Sequence, residues 1–527
     1  MNRRLVHTAS VTRVLRRAPS WLPWVLLLVA VVGLLLPWLL APVASDERYH
    51  YVAAPGRMHD NVLNVVPWTI NDMQWRMRAG RIAPVGVFFQ HVFYLLGMQF
   101  AFATGVPLFV VHGLVKVVLL SAVVGSFALL LTQLRRRDGE RLDRPTRTTA
   151  LILFAALLVL GVTATSPDRN GWTTFVVLCI GGIVLMFLAG AASLWALRGW
   201  GSWGPLGKTL SAAGIVVLGI IITLSYEMHW AAVPFAVMLL ALVGRSRPQH
   251  RLALSLALGG GWLSAVLVTR EVIASAATGD IYTGLKLDLG GPVLKVIALQ
   301  LVSAVPGTGI PYALRDADAG LPEPMPFGGS GWLWGVLFAV AVLLLLRRRP
   351  LTGDAGANRA GPDRQPLVAL ALALASSALA AAVILSVSEQ AHQIVRFVGA
   401  TYRGTPWIWT CLAGILAVVI AVLPRTDWSR RVTTATFTAT CAVAVGVLVW
   451  PTTVSSIQTQ RAATDYLIWE RAQSELIGGS TDPVSVQHRC LLADQATDWA
   501  GNSSYRSAYL EEYEQSYLHQ WGRPWCR

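Results

Sequence analysis

Two adjacent carboxylates, Asp46 and Glu47, open the stretch SDERYHY, and His50 follows close behind. They come directly after an apolar run from Trp21 to Val43. A carboxylate held at the edge of a low-dielectric region binds its proton more tightly, which suits a general base acting on a hydroxyl. The plainer alternative is a pair of solvated charges that marks a helix end. A second candidate is SYEMHW, Ser225 to Trp230, where Glu227 and His229 sit between two apolar runs with almost no loop. Tyr226 and Trp230 would equally suit an interfacial aromatic belt. The third is SEQAHQIVRFVGATYRG, in which Glu389, His392 and Arg396 stand at i, i+3 and i+7, and Arg403 follows. That spacing predicts one helix face. Its arginines suit bidentate binding of phosphate, or contact with lipid headgroups. Lys286 and Arg270 are weaker candidates for the same work. His112 and Lys116 lie four apart in an apolar run and share a helix face; a proton pathway or a structural pairing would explain them, the pairing more simply.

The elements that must position these groups are membrane helices. The chain has 527 residues, of which 54% are hydrophobic and only 13% charged. Apolar runs of about twenty residues, the length that crosses a ~30 Å hydrocarbon core, recur throughout. The runs are continuous, so a helical bundle is expected and a β-barrel is not. The net charge of +15 does not point to nucleic acid, because the basic residues gather in short segments between apolar runs. No Walker motif supports ATP hydrolysis, and no HExxH metal motif or GxSxG elbow is present. The outer carboxylates are of the right type for a divalent cation such as Mg, Mn or Ca, but their spacing is not that of a metal motif.

Arginine clusters fix the expected phase. Arg135 to Arg137, Arg245 and Arg247, Arg347 to Arg349, and Arg430 and Arg431 all fall on one side when the N-terminus is cytoplasmic. About eleven transmembrane helices follow, the first an uncleaved anchor near 21–43 and the last near 432–450. Residues 44–104 form a first outer loop with interfacial helices anchored by Trp68 and Trp75, and 82–104 reads as interfacial or re-entrant. A long outer loop covers about 270–330. Residues 1–450 thus make a transmembrane domain, and 451–527 a small soluble extracytoplasmic region. Cys490 and Cys526 in that region could form a disulfide, whereas Cys179, Cys411 and Cys441 read as buried small hydrophobes.

This layout resembles the C-type superfamily of integral-membrane glycosyltransferases. The resemblance rests on SDERYHY, with its acidic pair directly after the first helix, and on WRMRAGRIAP, Trp75 to Pro84. It implies a catalytic base at Asp46, with Glu47 as rival. It implies a polyprenyl-phosphate sugar as donor and transfer to a cell-envelope glycan or lipid acceptor on the outer face of the cell membrane. By position Arg396, Arg403 and Lys286 would contact the donor phosphate, although no motif fixes them. His50, Glu227, His229, Glu389 and His392 would contact substrate. An oligosaccharide ligase or polymerase would instead rely on Arg396, Arg403 and His392. A transporter or flippase would need inverted repeats and broken helices, which are not visible.

Overall fold

The structure, a computed structural model, describes residues 22–41, 43, 45–59, 61–78, 80–135, 140–163, 172, 175–243, 247–276, 287–290, 293–306, 308, 331–347, 365–398, 403–422, 464–499 and 503–526. Among these the secondary structure is helical, with no strand. The chain order is α1 (Leu22–Leu39), α2 (Ser45–Met58), α3 (Val65–Arg78), α4 (Pro84–Thr104), α5 (Leu108–Gln133), α6 (Arg144–Thr163) and α7 (Val176–Gly199). Next come α8 (Pro205–Ser225), α9 (Ala232–Leu242), α10 (Pro248–Ala276), α11 (Val293–Ser303), α12 (Gly331–Arg347), α13 (Gln365–Ser386), α14 (Glu389–Ile394) and α15 (Thr405–Val422). Three tail helices follow, α16 (Thr464–Gly478), α17 (Pro483–Trp499) and α18 (Ser503–Trp521).

Seven of the described helices are long and apolar enough to cross a bilayer, and several shorter apolar helices pack among them. The chain is a multi-pass helical membrane protein. The expected eleventh helix, 432–450, and Cys441 lie outside the described residues. In lipid, apolar side chains can face outward, so the bundle is held by close packing and by internal satisfaction of polar groups. Phe127, Phe154, Phe187 and Phe235 stack from α5, α6, α7 and α9, with successive ring centroids 4.0 to 6.1 Å apart. Trp407 Nε1 donates to Ser377 Oγ at 2.9 Å, and that hydroxyl donates to the Ala231 carbonyl at 2.8 Å. Cys179 and Cys411 are free and buried, as their apolar surroundings predict.

The segment expected to be interfacial or re-entrant is one continuous helix, α4. Pro84 opens it, and Gly105 closes it in the left-handed conformation with its N–H on the Ala101 carbonyl. Contacts tie both ends of α4 to other elements. Gly86 is packed so tightly against the Ser225 carbonyl, at the end of α8, that a β-carbon would overlap it. At the other end Phe102 meets Trp521 of the tail. Gly113 of α5 makes the same kind of approach to the Leu39 carbonyl. These backbone contacts pull α4, the start of α5 and the last residues of α1 and α8 together, and the candidate residues collect there.

A second apolar core seals this end. Tyr51, Tyr94, Met98, Leu108 and Val111 pack with Leu476, Leu492, Tyr513, Tyr517 and Trp525 of the tail. Cys490 and Cys526 are joined in a disulfide, with Cα atoms 4.9 Å apart. Helix α16 ends before Gly479, which adopts φ 56°, a left-handed position that favours glycine. The apolar segment in the long loop folds as α11 and buries Val296 and Gln300 against its neighbours. One anchor needs correction. Trp75 is exposed as an interfacial residue should be, but Trp68 is half-buried, with Arg57 over its ring at 4.1 Å and His91 at 6.0 Å.

Candidate functional site

Helix α2 carries the acidic pair. Asp46 lies in its first turn, and its side chain is outside what the structure describes. Glu47 is fully enclosed. Tyr94 OH donates to its Oε1 at 3.4 Å, and the Val176 N–H donates to the same oxygen at 3.3 Å. Its Oε2 faces His112 Nε2 at 3.6 Å. Burial pushes the Glu47 carboxyl well above the usual range; the nearby Lys116 charge and the hydrogen bonds from Val176, Phe175 and Tyr94 only partly offset it. Lys116 Nζ donates to the Trp38 carbonyl at 3.0 Å, one helix end away. His112 and Lys116 share a face as the spacing predicts, and both belong to the surroundings of Glu47.

His50, one turn beyond Asp46, stacks flat on Tyr94 with centroids 5.5 Å apart. Burial pushes its pKa down to about 3, and the Arg76 and His91 charges add to that. Asp72 fixes this side of the site. Its Oδ2 accepts from Arg76 Nε at 3.0 Å and lies 3.4 Å from His91 Nε2. Burial would raise the Asp72 carboxyl, yet His91 and Arg76 outweigh it and hold the group below the usual carboxylate range. Thr69 Oγ1 then meets His91 Nδ1 at 3.2 Å, so α3 and α4 are keyed together.

The other half of the site is cationic. Arg81, in the turn before α4, pairs with Glu227 through two contacts of 3.1 and 3.3 Å. Burial favours the neutral form of each partner, but their mutual charge wins, holding Glu227 below and Arg81 above its ordinary value. The Arg81 guanidinium also covers the Tyr226 ring at 4.6 Å. Arg403 Nη1 donates to Tyr226 OH at 2.9 Å, and its guanidinium lies over the Phe175 ring at 5.3 Å. Phe175 adopts φ 52°, a left-handed conformation uncommon for a bulky side chain. That turn lets one dipeptide touch both halves: Phe175 meets Arg403, and Val176 meets Glu47.

Several expected members do not join. His229 is buried in the bundle, its Nε2 2.7 Å from the Leu178 carbonyl and its ring stacked on Trp407. Its ring also meets Tyr226 edge-on, with centroids 5.7 Å apart, so it packs behind the cationic half rather than lining it. The helix predicted to align Glu389, His392 and Arg396 ends at Ile394, so Arg396 is off the helix and exposed. His392 instead pairs with Asp288 at 2.9 Å and with the Ser386 carbonyl at 2.8 Å. Glu389 bonds Gln393 beside this separate cluster. Lys286 lies outside the described residues. The sequence reading missed Arg81, Asp72, His91 and Tyr94. A signal was present: Gln90, His91 and Tyr94 are three polar side chains within the otherwise apolar run 84–98.

Among the described residues no group of three or more His, Cys, Asp or Glu is arranged to hold a metal ion. Among the described side chains of this site, Glu47, Asp72 and Glu227 each engage arginine, histidine, hydroxyl or backbone donors. Comparison with family models, with curated proteins and with solved structures gave no match.

Proposed function

We propose that this chain is a membrane glycosyltransferase that moves a sugar from a polyprenyl-phosphate donor to a cell-envelope glycan or lipid on the outer face of the membrane. One observation carries the reading: the Phe175–Val176 dipeptide joins the acidic start of α2 to the Arg403, Tyr226 and Arg81 cluster. Displacement at an anomeric carbon needs two things close together. A carboxylate must take the proton of the acceptor hydroxyl, and a cation must steady the phosphate that leaves. The acceptor oxygen forms the new bond to the anomeric carbon. The bond to the donor phosphate breaks, and its electron pair departs with the polyprenyl phosphate.

Asp46 is the proposed base. Glu47, enclosed and holding its proton, orients Tyr94 and the start of α7. Arg403 is the proposed phosphate contact, because its guanidinium lies over Phe175, beside the dipeptide that reaches Glu47, and donates to Tyr226. The outward placement is supported by the arginine clusters at the opposite loops, and by a disulfide in the tail that docks on this end, since disulfides persist in oxidising compartments.

The test is an assay of the purified protein with radiolabelled polyprenyl-phosphate sugars, with and without acceptor. Asp46→Asn should abolish transfer while donor binding persists, and Arg403→Met should weaken donor binding. Full transfer by Asp46→Asn would refute the assignment of the base. Donor turnover that depends on His392 and Arg396 alone would favour a ligase.

A further inference from the structure

Helix α2 carries a break that it does not mend alone. Pro55 lies inside it. A proline in a helix interior has no N–H to give, and its ring presses on the carbonyl four residues back, which loosens the turn. In α2 that turn lies between Tyr51 and Gly56, and a tail side chain enters it. Gly56 N–H donates to Ser516 Oγ at 3.1 Å, and the same hydroxyl donates to the Val52 carbonyl. Gly56 N–H and the Val52 carbonyl are the i and i−4 partners that an uninterrupted helix joins directly. The hydroxyl therefore bridges the ladder where proline weakens it. Glycine lets α18 come this near: a β-carbon on Gly56 would stand 3.0 Å from both the amide nitrogen and the hydroxyl of Ser516. Beyond the break the helix resumes, with His59 N–H on the Pro55 carbonyl at 2.9 Å.

Four residues back on the same face of α18, Glu512 braces both sides of the break. Its Oε2 accepts from Arg57 Nε at 2.8 Å, beyond Pro55. Its Oε1 accepts from Tyr49 OH at 3.1 Å, before Pro55. Arg57 Nη2 donates to Tyr49 OH at 2.6 Å, which closes the triangle. Glu512 and Ser516 are both buried. A buried carboxylate is costly unless it is paired, and the contacts that offset the cost here come from α2.

We propose that Ser516 and Glu512 are positioning residues: from the tail they complete helix α2 across its proline break and so hold the turn that carries Asp46. The role rests on the glycosyltransferase reading above. The two side chains act through the α2 backbone and through Tyr49, which stands three residues past Asp46. Glu47 pins the start of α2 to the Val176 N–H of the bundle. The tail pins the other end, and two anchored ends fix the direction of the helix.

The experiment uses the full chain in detergent micelles and has two arms. Amide hydrogen exchange, read by mass spectrometry, needs no substrate. Ser516→Ala should speed exchange about tenfold or more in peptides that span 52–58, because the Gly56 N–H and the Val52 carbonyl lose the group that joins them. Peptides from 464–499 should stay as protected as in the parent protein. The second arm is transfer from radiolabelled polyprenyl-phosphate sugars. Ser516→Ala and Glu512→Gln should each lower kcat about tenfold, with the donor KM within about twofold, since a displaced base costs rate rather than donor binding. Adding Pro55→Ala to Ser516→Ala restores the missing N–H and removes the ring, and should return both readouts toward the parent values. A residue needed only to fold the tail would not be rescued from α2. Unchanged exchange in 52–58, exchange that rises across the whole tail, full transfer by both variants, or a loss that Pro55→Ala does not relieve would overturn the proposal. A parent protein that transfers no sugar would instead refute the glycosyltransferase reading, and the exchange arm with its Pro55→Ala rescue would still decide whether the tail completes α2.

Discussion

Replacing Glu47 by glutamine separates two physical states of the site. In one, the enclosed carboxyl keeps its proton at neutral pH, as its burial dictates. Glutamine is then a near-isosteric neutral substitute that still accepts from Tyr94 and Val176, and the cost to stability is below about 1 kcal/mol. Alanine removes the acceptor altogether. It strands the Val176 N–H and the Tyr94 hydroxyl, at about 1–3 kcal/mol each, and Glu47→Ala should therefore cost about 2–6 kcal/mol. In the other state Glu47 is ionised against Lys116. Glutamine would then leave a buried ammonium without its counter-charge, at about 3–5 kcal/mol, and would be as harmful as alanine. The pH dependence has a definite sign. Below the ordinary glutamate value of about 4.3 folded and unfolded chains both carry the proton. Above it the unfolded chain loses the proton while the native group keeps it, so stability falls by about 1.4 kcal/mol per pH unit until the native group ionises. Glu47→Gln lacks this slope. Thermal unfolding in micelles across pH 5 to 9 should show the variant gaining on the parent protein as pH rises. A large loss in Glu47→Gln that is the same at every pH would refute the protonated state.

Other outcomes follow from the same contacts. Glu227→Gln should destabilise by about 2–4 kcal/mol by leaving the Arg81 guanidinium unbalanced, and adding Arg81→Met should recover most of it; a double-mutant cycle by thermal unfolding measures the coupling. His50 is held neutral down to about 3, so as pH falls below its ordinary value only the unfolded chain gains a proton and stability is lost between about pH 6.5 and 3. His50→Phe keeps the ring on Tyr94 and should flatten that acid limb, read as stability against pH; an unchanged slope would contradict the burial of His50. Breaking the Cys490–Cys526 bond, which closes a loop of 36 residues, should weaken the tail by about 4 kcal/mol on a chain-entropy basis. Limited proteolysis of Cys490→Ser should then release the tail faster than in the parent protein.

What the sequence alone determines is local. Twenty-residue apolar runs state that the chain lives in a bilayer, because nothing else satisfies so long an unbroken stretch, and Pro84, Gly105 and Gly479 set helix boundaries through backbone limits that do not depend on neighbours. The acidic pair, Glu227 and Arg403 announce themselves because charge near a membrane is costly. Partnership is another matter. Glu47 and Val176 are 129 residues apart, and Arg403 and Tyr226 are 177 apart. Only packing brings them together, and only packing sends His229 into the core, and His392 to Asp288. Hydropathy also cannot place α4. Its composition fits a membrane span, but only the close approach of Gly86 to Ser225 and of Phe102 to Trp521 shows which elements its two ends meet. Composition sets what each segment can tolerate, while the pairing of distant backbones decides which polar groups share a site.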